Sequence, residues 1–232
     1  MKIAIMQPYF FPYIGYFQLL NVVDKFIIYD DVNFINKGWI NRNHILIDGA
    51  PSMFTIPLKE ASQNKLIREI DASEDDKWKK KLLKSLEQSY GKAPYFMHAY
   101  TLIQEVIFSS ENKISSKIVN SLKVISAYLD INTDIVETST IYNNSFLKGQ
   151  TRILDICEKE KADCYINPIG GQELYSQELF DKSGIKLKFI NSKLLPYKQY
   201  NKEFVPWLSI IDVMMFNSSE KIREMLNSFE LV

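Results

Sequence analysis

The chain has 232 residues, 46% hydrophobic and 24% charged, with 28 basic side chains balanced by 28 acidic ones. That length suffices for a large buried core, and the balanced charge gives no overall attraction to nucleic acid or to an anionic membrane surface. Cys157 and Cys164, the only cysteines, have neither CxxC spacing nor a histidine cluster, which argues against a structural zinc site and a disulfide framework.

The N-terminus, MKIAIMQP, has an apolar run too short for a signal peptide, and no window approaches 18 uninterrupted apolar residues. A cytoplasmic protein without an integral membrane segment is expected. Ile3 to Met6 and Phe26 to Tyr29 read as strands, and Tyr13, Phe17, Leu20 and Val23 between them recur at helical spacing. One helix between two strands makes a βαβ unit with parallel strands. Pieces at His44 to Ile47 and Met53 to Pro57 flank Asp48-Gly49, a hairpin signal, so they should pair antiparallel.

From residue 73 the pattern turns helical. Ser73, Asp75 and Asp76 open one helix, which Gly91 stops; Pro94 opens a second, through about Phe108; Ser115 or Ser116 opens a third. Alternation then returns. Asp134 to Ser139 reads as strand, Gln150 to Lys161 as helix, Cys164 to Asn167 as strand, Gln172 to Lys182 as helix and Ile185 to Ile190 as strand. The tail gives two helices broken near Asn217-Ser218. The expected fold is α/β and Rossmann-like: a mainly parallel sheet with helices on both faces. Residues 1–232 are expected to form a single domain, with a mainly helical insertion at about 73–131.

Ligands of such sheets bind beyond the carboxyl ends of the strands, where helix N-termini offer free N–H groups. Gln7, Tyr13, Gly15, Tyr16, Asp30 and Asp31 fall at that edge. Tyr13-Ile14-Gly15-Tyr16 stands where nucleotidyltransferases and class I aminoacyl-tRNA synthetases carry His-x-Gly-His. Tyrosine brings no positive charge and is a poor proton shuttle at neutral pH, which counts against adenylylation. The alternative is aromatic packing at a helix start. In INPIGGQELY, Gly170 and Gly171 follow a strand, and Tyr175 closes the segment, so backbone N–H groups could meet a phosphate or carboxylate; an ordinary βα turn is the competing reading.

Asp30 or Asp31 could serve as a general base or hold a ribose hydroxyl. Lys37 and Arg42, beside Trp39 and Asn41 in KGWINRN, could neutralise phosphate, or else form a solvated loop. Asp212, inside the apolar run PWLSIIDVMMFN, needs a buried partner, for which Arg42 or Lys37 are candidates. No metal site is expected.

MQPYFFPYIGYFQLL, VDKFIIYDDV, KGWINRN, INPIGGQELY and LSIIDVMMFN together resemble the WbqC-like protein family. The resemblance implies a role in O-antigen or other surface-polysaccharide synthesis, as a transferase placing glycine or another acyl group on an amino sugar; it supplies no catalytic set. The leading expectation is therefore acyl or aminoacyl transfer to a nucleotide-linked amino sugar. In that reading Asp30, Asp31 and Lys37 act in catalysis, and Gln7, Tyr13, Gly15, Tyr16, Trp39, Asn41, Arg42, Gly170, Gly171 and Tyr175 bind substrate. A nucleotide or an activated acyl donor, on an acyl carrier or aminoacyl-tRNA, is the only cofactor or partner implied beyond the nucleotide sugar, and stable nucleic-acid binding is not expected. The alternatives are a nucleotidyltransferase-like enzyme and a non-catalytic protein that binds a sugar intermediate.

Overall fold

The structure, a computed structural model, describes residues 1–200 and 203–232. Its centre is a six-stranded sheet built from β1 (Lys2–Met6), β2 (Lys25–Ile28), β7 (Asp134–Val136), β8 (Cys164–Pro168), β9 (Lys186–Ser192) and β10 (Phe229–Leu231). The spatial order is β10-β9-β8-β1-β2-β7, and every neighbouring pair is parallel except β9 with β10. Ile3 of β1 stands beside Lys25 of β2 and Tyr165 of β8, so β1 is a central strand. Its side chains alternate between two layers. Ile3 and Ile5 pack with Ile153, Ile156 and Phe180; Ala4 packs in a second cluster with Phe17, Leu20 and Phe26.

The helices divide accordingly. On the Ile3 side lie α5 (Gly149–Lys159) and α6 (Gln177–Lys182). The Ala4 side takes α1 (Ile14–Val22), α7 (Ile210–Phe216) and α8 (Ser219–Leu226), whose buried residues join the second cluster. That cluster continues into α2 (Asp76–Tyr90), α3 (Phe96–Ile107) and α4 (Ile114–Tyr128) through Leu82, Leu86, Ile103, Ile118 and Leu122. Each of these side chains contributes roughly 1.5–3 kcal/mol on burial, so the helical segment is fastened to the sheet by its apolar stripes.

Local chemistry fixes several boundaries. Asp75 caps α2 by accepting from Lys77 N–H at 2.9 Å. The hairpin of β3 (Arg42–Ile47) and β4 (Ala50–Thr55) turns through Asp48 and Gly49, both at positive φ, as a two-residue primed turn requires. Two further short strands, β5 (Leu58–Lys59) and β6 (Asp71–Ala72), pair antiparallel beneath it in sequence. Three details differ from the sequence reading. The segment expected as one helix over Gln172 to Lys182 is a 3-10 turn at Ile169–Leu174 followed by α6, interrupted at Tyr175, whose ring packs against Tyr165 and Phe180. The strand expected over Asp134 to Ser139 ends at Val136, because Thr138 and Ser139 turn to bond Asp30 and Asp31, just after β2. Asp212 pairs with neither Arg42 nor Lys37; Tyr90, Tyr197 and Gln199 surround it.

Candidate functional site

Beyond the carboxyl end of β2 the chain runs directly into Tyr29, Asp30 and Asp31. The two aspartates point into different surroundings, as successive residues of an extended segment must. Asp30 is 3% exposed. Its carboxylate accepts from Ser115 Oγ at 2.8 Å, Thr138 Oγ1 at 2.7 Å and the Ser139 N–H at 3.3 Å, tying α4 and the end of β7 to β2. Burial raises its pKa, and those three hydrogen bonds oppose the rise. Asp31 accepts from Ser139 Oγ through one oxygen and from Arg152 Nη2 through the other.

Arg152 lies in the first turns of α5, on the face that carries Ile153 and Ile156. Its Nε donates to Asn144 Oδ1 at 2.9 Å, Asn144 Nδ2 donates to Asp155 Oδ2 at 2.6 Å, and the guanidinium sits 4.8 Å from the Tyr29 ring centroid. This network fixes how α5 approaches the sheet. The helix begins at Gly149, at φ +54, with no side-chain cap on its first N–H groups. An uncapped N-terminus leaves donors and a positive helix dipole facing outward.

Outward here means into an open cleft of about 680 Å³. Asp31, Lys148, Gly149, Arg152, Tyr29 and Tyr175 are among its walls, and Asp31 is the single carboxylate among them. Burial raises the phenol pKa of Tyr29 and of Tyr175, so both present neutral hydroxyls. The arrangement can hold an anion at the α5 end and place a ring or sugar against tyrosines.

A second cleft, of about 260 Å³, lies between the loop after β1, the KGWINRN loop and residue 207, with Tyr13 and Trp39 in its walls. The sequence-derived residues are thus distributed. Asp31 and Tyr175 meet in the first cleft, Tyr13 and Trp39 in the second. Gly15 is buried in the first turn of α1, where an added Cβ would stand 2.3 Å from the Tyr13 ring and 2.5 Å from Ser192 Oγ, so the place of a phosphate is filled by the chain itself. Tyr16 is buried and donates to the Gln7 carbonyl at 3.0 Å. Asn41 donates to the Ile56 carbonyl at 2.7 Å. Arg42 donates to the carbonyls of Gly38 and Lys37, the latter an exposed residue at φ +61. Gly170 is open to solvent, and Gly171 lies under the Asn167 side chain. Neither Gly15 nor the Gly170-Gly171 pair is among the residues lining either cleft.

The sequence reading did not single out Lys148 or Arg152. Arg152 had a signal: a cation on the apolar face of a helix requires a buried partner. Trp207 had none, since only the folded loop brings it to Tyr13.

With that geometry in hand, comparison with known proteins is decisive for the family. The match to the WbqC-like protein family covers residues 7–224. The chain belongs to the WbqC-like protein family. This WbqC-like chain is also similar to a Mycobacterium tuberculosis (strain ATCC 25618 / H37Rv) protein named "Uncharacterized protein Rv1507c", at 29% identity over 93% of each chain. No solved structure matches it. The family's span includes β1's exit, the aspartates that follow β2, α5 and α7, so both clefts lie within the shared region.

Proposed function

We propose that this protein is a transferase that places an acyl or aminoacyl group on the amine of a nucleotide-linked amino sugar during surface-polysaccharide synthesis. The observation that carries the reading is the cleft where the uncapped start of α5, with Lys148 and Arg152, faces Tyr29, Tyr175 and Asp31. The diphosphate would lie on the α5 N–H groups and Lys148, which together offer donors and positive charge. The sugar and base would lie along the tyrosines.

The amine nitrogen would attack the carbonyl carbon of an ester or thioester donor. The N–C bond forms, the bond from carbon to the donor's oxygen or sulfur breaks, and the proton lost by nitrogen passes to Asp31 and from it to the departing oxygen or sulfur. Arg152 and Ser139 use one bond on each Asp31 oxygen and leave further lone pairs for that proton. Asp30, enclosed by Ser115, Thr138 and Ser139, supports the strand ends, and exposed Lys37 lies in the loop beyond them.

The same reading takes the fold as Rossmann-like, because β1 has α1 leading to β2 on one side and receives β8 on the other. Residues 1–232 are read as one domain, because the cluster on the Ala4 face runs unbroken from the sheet into α2, α3 and α4. The place of action is the cytoplasm. No helix among the described residues is long and apolar enough to cross a membrane.

Isothermal titration with UDP, dTDP and their amino-sugar conjugates tests the reading. Binding that weakens about tenfold in Lys148→Ala and falls with added salt supports it. Binding of ATP with Mg²⁺ but of no nucleotide sugar would replace it with a nucleotidyltransferase.

A further inference from the structure

The smaller cleft is walled by rings. Tyr13 meets Trp207 edge to face at 5.8 Å between centroids, and Trp39 meets His44 at 5.7 Å. Tyr9 completes the wall and Asn43 stands beside it. Trp39 is 45% exposed and Trp207 57%. Two half-exposed indoles in one concavity leave a large apolar area in water, which a folded chain ordinarily covers.

Trp207 is also held in a costly conformation. Its φ is +61, a region that a bulky residue occupies at roughly 1–3 kcal/mol. The neighbours impose it: Leu208 is buried, Ser209 N–H donates to the His44 carbonyl at 2.9 Å, and Ser209 Oγ donates to the Phe11 carbonyl at 2.6 Å. The strain turns an indole outward beside Tyr13 when a smaller residue would sit there at less cost.

The amide of the cleft is held in place. Asn43 Nδ2 donates to the Phe11 carbonyl at 2.8 Å and its Oδ1 accepts from the His44 N–H at 2.8 Å. Tyr9 and Tyr13 stay protonated, since burial raises both phenols. Among the described residues, neither a carboxylate nor an ammonium lines the cleft. A cation beside it, Arg42, lies 6.0 Å from the Trp39 ring centroid and is bonded to the carbonyls of Gly38 and Lys37. A phosphate would find no free charge here, and a quaternary ammonium would be repelled by the guanidinium already beside Trp39. The volume, about 260 Å³, falls below the roughly 300 Å³ at which drug-sized sites begin, so it suits one ring rather than a whole nucleotide.

We propose that this cleft is a carbohydrate subsite that holds one neutral pyranose ring against Trp39 and Trp207. The C–H faces of a pyranose stack on indole, while its rim of hydroxyls meets Tyr9, Tyr13 and His44. The proposal goes beyond the nucleotide cleft and rests on different residues.

Saturation-transfer NMR and tryptophan fluorescence, with no nucleotide present, test it directly. The probes are neutral methyl glycosides of hexoses and N-acetylhexosamines, with uridine and tetramethylammonium as competitors in class. At least one pyranoside should bind and quench indole emission, and Trp39→Ala should weaken it roughly three- to tenfold. Trp207→Gly removes the ring and accepts positive φ without strain, so binding should fall while the melting temperature holds or rises. Uridine or tetramethylammonium quenching indole emission where no pyranoside does would overturn the proposal, as would pyranoside affinity unchanged in both variants. Because no nucleotide is used, either failure leaves the reading of the α5 cleft standing.

Discussion

Arg152 of α5 and Asp31 after β2 form a salt bridge whose side chains are 3% and 6% exposed, more than a hundred residues apart in the chain. Removing one partner would leave a buried charge uncompensated, which typically costs 3–5 kcal/mol. Arg152→Met should therefore destabilise the protein by about that amount in urea denaturation. Arg152→Lys should recover only part of the loss, since a lysine cannot reach Asp31 and Asn144 together or lie flat on Tyr29. Equal stability of wild type and Arg152→Met would show that the pair is not anchoring α5.

A second buried carboxylate makes a different prediction. Asp212 accepts from Tyr197 at 2.6 Å, Gln199 at 2.7 Å and Tyr90 at 2.8 Å, and Tyr90 in turn accepts from the Leu46 N–H at 2.6 Å. Tyr90→Phe strips a donor from Asp212 and orphans a buried N–H, a loss of roughly 2–4 kcal/mol. At this chain length that lowers the melting temperature by about 4–16 °C. Calorimetry checks it, and a shift under 2 °C would mean that water or another group replaces the hydroxyl.

Burial raises the pKa of Asp212 despite those three donors. The folded state then holds its proton at a pH where the unfolded chain, titrating near 3.9, has released it. The contribution of Asp212 to stability is thus greatest below about pH 4 and declines as pH rises through the folded value. In Asp212→Asn that declining component should vanish. The slope of unfolding free energy against pH, measured in acid for both proteins, decides; identical slopes contradict the assignment.

Much of this architecture was legible in the chain. The strands Ile3 to Met6 and Phe26 to Tyr29, the helix between them and the Asp48-Gly49 hairpin all follow from periodicity and turn chemistry. What stayed hidden depends on contacts distant in sequence. Tyr175 breaks a helix because Tyr165 and Phe180 claim its ring, and β10 exists only because β9 offers it an edge. The partners of Asp212 lie in a loop and a helix that no local pattern brings together. The clefts were least legible: residues chosen at one sheet edge part into two concavities, and Lys148, Arg152 and Trp207 arrive from elsewhere.

Gly15 links helix packing to the aromatic cleft. Gly15→Ala would gain helix propensity but drive a methyl into the Tyr13 ring and Ser192 Oγ. Overpacking of this kind costs roughly 1–3 kcal/mol, and the Tyr13 ring, which also meets Trp207, must shift. The variant should melt lower than wild type and show altered tryptophan emission. Unchanged emission would mean that the Tyr13 ring shifts without disturbing its contact with Trp207.

The start of α5 as an anion-binding wall is the central claim, and titration of UDP into wild type and Lys148→Ala at two salt concentrations tests it most directly. Lys148 is exposed, so the variant should keep its melting temperature. The expected result is binding that weakens about tenfold on substitution and loses part of its salt dependence. Binding of equal strength and equal salt dependence in both proteins would contradict it.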